Sequence, residues 1–486
     1  MKKSLLFIIF FGMLFPAVFA GGILTNTNHS AMFTRMLMRE AGYDLDAVYY
    51  NPAGVGRFYD GFYISINNQF VTQHRTITTD YASLNDGTYK GTINAPVFPA
   101  FYAVYKTGKF ALSFGFNPIG GGGGAEFDRG LPSFEIPVSG LPAQLNASLA
   151  PLDNLVGLMT GTNPGFANIE GYSTDIFFNG SSIFFGYQLN VSYEINDMIS
   201  VAVGGRYVSA KDTYEGAIEN IMITAPAAYG GAQKAGDYLR LIATQVSSFS
   251  AETAESLQTS AAGLDIMTAN VEVDVEQSGT AFTPVISLDI QPMENLNFAV
   301  KYELQTALEM ETTVFDGKSG NGIYVDGSKK NLDMPALLAS GLSYSPVEKL
   351  NVSLGIRYFF DKDCNWDGRE EKLENNSFEA GIGVQYFLNE KVELSAGYMK
   401  TETYPYQDYQ TDVSHSLKSY TLGCGGSYKV NDKIDIQLGA SITNYADRER
   451  NYNYAVSGAD YLINEAYQRN SFVFALGVNY SLVKAE

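Results

Sequence analysis

Beyond residue 20 the chain contains no apolar stretch of membrane-helix length, although 45% of its 486 residues are hydrophobic. A helical span needs about 20 consecutive apolar residues, so a helical membrane bundle is excluded. Cysteine is nearly absent: Cys364 and Cys424 stand far apart and read as free thiols, which removes a disulfide framework. Positive charge is scarce too, with 32 Lys and Arg against 52 Asp and Glu. The net charge of −20 excludes a nucleic-acid partner, because phosphate binding needs a basic face. Histidine occurs three times, as His29, His74 and His415. Three isolated imidazoles do not build a nucleophile and base held together, so no enzyme is expected, and neither a resident metal nor any other cofactor. The acids Asp361, Asp363, Asp367, Glu370 and Glu371 read as a hydrated loop. Gly120 to Gly124 lacks the Lys-Ser/Thr and crossover helix of a phosphate loop.

What the chain does have is a repeated hairpin. In Gly341 to Tyr358, Leu342 and Tyr344 share one parity before a Ser-Pro-Val-Glu-Lys turn, and Leu350, Val352, Leu354, Ile356 and Tyr358 share one after it. Successive strand side chains point to opposite faces, so each strand has one greasy face. The opposite face, with Asn351, Ser353, Gly355 and Arg357, is too poor in bulky apolar groups to be an ordinary core. The unit recurs at Asn190–Tyr207, Gly383–Tyr398 and Gly425–Ala440, each with a Tyr just before a polar turn. Aromatic residues at a fixed height above every turn match the interfacial girdle of a membrane barrel. A barrel hides its apolar surface in alternation, which fits a mean hydropathy of −0.07.

The N-terminus does not alternate. Lys2 and Lys3, an apolar run from Leu5 to Phe15, Pro16 and the small-residue ending Val18-Phe19-Ala20 predict a secretory signal peptide over residues 1–20. Residues 21–57 then carry Met32, Met36 and Met38 in a short helical pattern and the segment Asn51-Pro52-Ala53-Gly54-Val55-Gly56. Here the chain resembles the FadL/TodX family of outer-membrane transport proteins, whose N-terminal hatch carries an Asn-Pro-Ala motif shortly before the first strand. The resemblance implies a hatch over 21–57, with Asn51, Pro52 and Ala53 as its motif, inside a barrel over 58–486.

Fourteen strands can be counted: Phe58–Arg75, Thr92–Tyr105, Lys109–Asn117, Gly180–Ile195, Ile199–Tyr214, Val271–Ile290, Leu296–Thr312, Asp333–Tyr344, Leu350–Asp361, Ser377–Phe387, Val392–Thr401, Ser416–Val430, Ile434–Tyr445 and Gln468–Leu482. Six tight turns alternate with seven long connections, as in outer-membrane barrels with periplasmic turns and external loops. The fold class is therefore all-β, a transmembrane antiparallel barrel with an N-terminal hatch in its lumen. Fourteen is also the strand number of FadL-like barrels.

Two loops, placed at 118–179 and 215–270, are too long to be structureless. The first holds Leu141, Leu145 and Leu149; the second has Leu239, Ile242 and Val246 at i, i+3 and i+4 spacings behind Asp237 as an N-cap. Together they read either as a greasy external cleft, as in the family, or as a lid closed on itself. Phe33, Met36 and Met38 in the hatch face either a ligand or the hatch's own core. In the third strand, Asn117-Pro118-Ile119 is followed by Gly120, Gly121 and Gly122. Pro118 cannot donate to a neighbour and glycines leave the wall unfilled. The segment is either a lateral opening, as a kink in this strand is in FadL-like proteins, or a strand-to-loop transition at the barrel rim.

The resemblance implies passive uptake of hydrophobic small molecules, such as long-chain fatty acids or other lipophiles, by a monomer in the outer membrane of a Gram-negative bacterium. The expected partners are a hydrophobic ligand, outer-membrane lipid and lipopolysaccharide. A general diffusion porin for polar solutes and a surface adhesin or structural barrel remain as alternatives.

Overall fold

The computed structural model describes residues 23–456 and 459–483; the expected signal peptide at 1–20 lies outside them. Fourteen strands close into one antiparallel barrel. In chain order they are β1 (Gly61–Thr79), β2 (Thr88–Thr107), β3 (Phe110–Phe127), β4 (Gly171–Asn196), β5 (Ile199–Thr224) and β6 (Val271–Met293). β7 has two pieces (Leu296–Glu303 and Glu309–Ser319), as does β8 (Lys329–Asn331 and Leu337–Val347). Then come β9 (Leu350–Phe359), β10 (Leu373–Phe387), β11 (Val392–Pro405), β12 (Ser419–Asn431), β13 (Ile434–Tyr445 and Arg448–Val456) and β14 (Ala459–Val483). Each strand pairs with the next, and β14 returns to β1 with Gly61 opposite Val483 and Thr79 opposite Glu465.

The local chemistry explains why the turns sit where they do. Asn196, Asn389 and Asn431 each use the side-chain oxygen to accept two backbone N–H groups of the following turn, at 2.9–3.0 Å. An Asx turn of this kind reverses the chain without help from a partner strand. The tyrosines that precede these turns, Tyr193, Tyr386 and Tyr428, are exposed on the outer surface, as is Tyr344. Above them the outer face carries exposed apolar side chains on alternate positions, for example Phe472, Phe474, Leu476 and Val478 on β14. The intervening residues, such as Ser471 and Ala475, are buried toward the lumen.

Several strands run well past the lengths read from hydropathy. β4 and β5 have 26 residues each, where about 9–11 suffice to cross a bilayer. The reason is visible on β5: Val203 and Tyr207 face outward, and farther up the same face carries Lys211 and Glu215. Beyond the lipid the outward positions turn polar, and the alternation that marks a strand fades although the ladder continues. The loops expected at 118–179 and 215–270 are accordingly shorter, at 128–170 and 225–270.

Both loops are helical: α3 (Pro132–Ser139) and α4 (Leu141–Thr160) in the first, α5 (Ala235–Val246) and α6 (Ala251–Met267) in the second. Asp237 is not the N-cap of α5. The helix starts two residues earlier behind Lys234, and Asp237 pairs with Arg240 in its first turn. A Cβ at Gly236 would overlap the Asp265 carboxylate, so the early start lets α5 pack closely on α6. No helix among the described residues is long and apolar enough to cross a membrane. Residues 23–57 lie within the barrel as short helical turns, α1 (Ala31–Met36), α2 (Ala47–Tyr50) and the turn Pro52–Arg57.

Candidate ligand passage

The lumen is filled from below by residues 23–57, held on two sides. On the β4–β6 side, Asn51 caps the turn Pro52–Arg57. Its Oδ1 accepts from Gly54 N (3.2 Å) while Nδ2 donates to Asp289 Oδ2 (2.8 Å) on β6. Asp289 also accepts from Arg57 Nε (2.6 Å). Ser192 on β4 and Ser200 on β5 donate to the carbonyls of Pro52 and Ala53, each at 2.7 Å. The Asn-Pro-Ala segment thus satisfies its backbone on the inner wall, where Pro52 has no N–H to strand.

On the opposite side the wall is made of glycine. A Cβ at Gly341 would lie 2.6 Å from Glu40 Cβ, one at Gly383 2.6 Å from Met36 O, and one at Gly439 2.6 Å from Ala31 O. At Gly397 and Gly423 it would overlap the carbonyls of Met36 and Thr34. The hatch backbone therefore rests directly on β8 to β13, which explains why the inner face of the repeated hairpin lacks bulk. Arg35 pairs with Glu393 on β11, and Arg357 on β9 pairs with Glu40 and, at 2.9 Å, with Glu379 on β10. Opposite charges removed from water in this way are costly to leave single, so they fix the hatch position.

Between β2 and β3 the wall parts. Phe101–Thr107 pair with residues 110–116, and above them only Thr92 meets Glu126, which leaves 93–100 and 117–125 without mutual pairing. Three prolines account for it: Pro96 and Pro99 on β2 and Pro118 on β3 cannot donate to a ladder. β3 nevertheless continues to Phe127, its register with β4 shifting at Pro118/Gly120 and again at Gly120/Gly123. Gly121, at φ 87°, passes so close to β4 that a Cβ would overlap Ser182 O. The third strand thus does not end at Asn117: the break lies inside a long strand and not at a rim. The hatch N-terminus lies against the kink: Asn26 N donates to Ile119 O (2.8 Å) and Asn26 Nδ2 to Pro118 O (2.9 Å). Asn117 is buried with both amide atoms unpartnered.

Beside this break lies a cavity of about 80 Å³. Its apolar side is formed by Phe33, Leu37, Val71, Ile93, Phe98 and Val473, and its polar side by Asn26–Asn28, Gln69, Gln73 and a row of Ser and Thr from β12 to β14. Gly121 also lines it. Of the three hatch residues singled out from sequence, Phe33 faces the cavity. Met36 and Met38 do not; both are fully buried, Met36 against Gly383 and Met38 against Gly355. Glycine on the wall leaves methionine-sized room there, so their flexible side chains fill gaps.

The loop residues Leu141, Leu145, Leu149, Leu239, Ile242 and Val246 are all buried in one apolar cluster with Phe166 and Tyr238. Asp153 accepts from the backbone of Phe166 and Ala167 at 2.7 and 2.8 Å, and Tyr238 donates to Phe166 O (2.8 Å). The two loops therefore close on each other over the barrel. His29 is buried in the hatch against Tyr49, His74 is exposed on β1, and His415, in loop 406–418, stacks on Tyr467. Burial and the neighbouring carboxylates push the Cys364 thiol upward, so this free cysteine stays protonated.

Sequence reasoning located Pro118 and the glycines but missed Pro96 and Pro99, whose spacing within one predicted strand was the available signal. It also missed the glycine seat, although every one of those glycines stands on the inward parity.

An outward apolar belt with a tyrosine girdle, around a lumen closed by the chain's own N-terminus, defines a plugged outer-membrane β-barrel protein. Its fold is FadL/TodX-like. A Pseudomonas aeruginosa FadL homologue superposes with a TM-score of 0.61 at 11% identity, over 94% of this chain and 99% of the other. The Pseudomonas putida toluene transporter TodX gives 0.54 at 16% identity, over 92% and 97%. The Ralstonia pickettii toluene transporter TbuX gives 0.53 at 14% identity, over 93% and 98%. A family model for an outer membrane protein beta-barrel domain matches residues 239–417, and one for an OmpA-like transmembrane domain matches 351–485. No curated protein matches the chain.

Proposed function

We propose that this protein is a passive outer-membrane uptake channel for hydrophobic small molecules, long-chain fatty acids or other lipophiles, with no catalytic step. The observation that carries the reading is the parting of β2 from β3 beside an apolar-sided cavity above a fixed hatch. A greasy molecule in that cavity has a route sideways into the bilayer and need not cross the polar hatch. Asn117, Pro118, Gly120, Gly121 and Gly122 form the β3 side of this lateral opening, and Phe33 is the hatch residue that meets the ligand. The fold shared with proteins named as a FadL homologue and toluene transporters supports the same class of cargo. The barrel works as a monomer, surrounded by membrane lipid and, on its outer leaflet, lipopolysaccharide.

Uptake of radiolabelled oleate and of toluene by cells expressing the protein is the direct test. Faster accumulation of at least one of them than in cells carrying an empty vector is expected. Equal rates with the barrel present at the surface would remove the transport reading and leave an adhesin or structural barrel.

A further inference from the structure

The fixed hatch closes the lumen from below and the β2–β3 break opens it sideways, which leaves the top. Over the cavity lies a connection whose length gives no reason to notice it: loop 406–418, between β11 and β12. It is mostly polar, yet it turns inward. Tyr409, Gln410, Asp412, Ser414, His415 and Leu417 are all buried. Its height is set by β14. Ser471 lines the cavity, Arg469 is the next inward-facing residue above it, and Arg469 Nη2 donates to His415 O (3.0 Å). On the other side the cavity-lining Thr421 stands on β12, the strand into which the loop runs.

The loop is one piece, held by contacts that are mostly polar. Gln410 ties its two arms: Oε1 accepts from Ser416 N and Nε2 donates to Ser416 O, both at 2.8 Å. Arg369, in the loop between β9 and β10, donates through Nη2 to Tyr409 O (3.2 Å) and Ser414 Oγ (2.6 Å), with its guanidinium 4.1 Å from the centre of the Tyr409 ring. Asp412 accepts from Ser133 N (2.7 Å) at the start of α3. The His415 ring stacks on Tyr467 of β14, with centres 4.7 Å apart. From this loop Leu417 and, half-buried, Val413 join the apolar cluster of the loop helices. Two polar atoms in the seat, His415 Nε2 and Thr403 Oγ1, are buried without a partner.

The roof thus has two layers that differ in what opening them costs. Separating the helices of one long loop from those of the other exposes an apolar cluster to water. Lifting loop 406–418 exchanges hydrogen bonds to protein for hydrogen bonds to water, which is nearly even, and gives two unpartnered atoms a partner. We infer that loop 406–418 is the entry gate of the channel: it lifts off β14 as a unit to admit a lipophile to the cavity, and Arg369 and Arg469 are the positioning residues that set its closed state. Both arginines grip backbone carbonyls, so their hold does not depend on which loop side chains meet the cargo. This deepens the uptake reading and rests on it: the loop supplies the way in, as the β2–β3 break supplies the way out.

The test traps the gate shut. Cys364 and Cys424 are replaced by alanine, and His415→Cys with Tyr467→Cys then puts two thiols where the stacked rings were. A short bis-methanethiosulfonate bridges them on intact cells, the bridge is verified by mass spectrometry, and a reductant removes it. Bridging should slow accumulation of radiolabelled oleate severalfold and reductant should restore it, while the parent without the added cysteines should not respond to the reagent. Arg369→Gln and Arg469→Gln should each speed uptake, with Arg369→Lys and Arg469→Lys nearer the wild-type rate; residues that only support the fold would slow uptake when removed. Accumulation unchanged by the bridge overturns the gate and leaves uptake standing, as does a slowing that reductant fails to reverse. Glutamine variants no faster than wild type overturn the role of the two arginines. Accumulation of neither oleate nor toluene by cells with the wild-type protein overturns both readings.

Discussion

A Cβ at Gly397 would overlap the carbonyl of Met36, whereas one at Gly263 on α6 meets nothing within 4 Å. Backbone cannot swing aside as a side chain can, so Gly397→Ala must displace the hatch or the wall. Overpacking of this kind typically destabilises by about 1–3 kcal/mol, while Gly263→Ala in an exposed helix gains about 0.5–1 kcal/mol. Thermal unfolding of the two variants in detergent should therefore move in opposite directions, with the N-terminal segment of Gly397→Ala cut faster by protease. Matching melting temperatures would show that the hatch is not seated on glycine. Asp361, in the loop between β9 and β10, offers a pH test. Burial raises its carboxyl to about 6, against two hydrogen bonds from Ser377 that pull the other way. Its folded form therefore holds a proton that the unfolded chain has already released, and stability declines as pH rises from the ordinary carboxylate range to about 6. Asp361→Asn should raise the melting temperature at pH 7.5 and leave it nearly unchanged at pH 4; an equal shift at both would rule out titration of this group.

At the scale of elements, the strands were legible because the lipid imposes a rule on every second residue. Phe472, Phe474, Leu476 and Val478 must all face outward, and only one register allows that. The upper halves were not legible, since Lys211 and Glu215 on β5 obey no such rule once outside the bilayer. The seat of the hatch was written in inward glycines, but what they face is hundreds of residues away in sequence, and no local pattern pairs Gly397 with Met36. Of the loop helices only α5 could be read from its apolar spacing, and not whether it faced a ligand or the other loop. On the proposed reading, β3 is the element on which uptake turns. Replacing Pro118–Gly124 by a Thr/Val-rich strand restores donors and side chains that can pair with β2, so the opening should close. With surface expression matched, oleate uptake should then drop severalfold while oleate binding persists. Uptake at the unaltered rate would remove this segment from the path. Because a ladder needs both partners, adding Pro96→Thr and Pro99→Thr on β2 should deepen that loss, whereas these two substitutions alone, with Pro118 and its glycines unchanged, should do less.

For the whole molecule, the question is whether the lumen conducts. The hatch crosses it from Asn51 and Arg57, fixed to Asp289 on β6, to Arg35 and Glu40, paired across to Glu393 on β11 and Arg357 on β9. Both anchors join groups that are buried on at least one side, so releasing the hatch would strand charge in a closed interior. Ions following the barrel axis would have to displace this network, whereas a lipophile leaving between β2 and β3 would not touch it. The protein in a planar bilayer should accordingly show no steady conductance, even in preparations that take up oleate when reconstituted in cells. Weakening one anchor by Asp289→Ala removes the acceptor shared by Asn51 and Arg57 and should produce intermittent openings as the plug shifts. A stable nanosiemens current through the wild-type protein would mean that water runs the length of the lumen, and the barrel would then have to be understood as a diffusion porin with a side cleft.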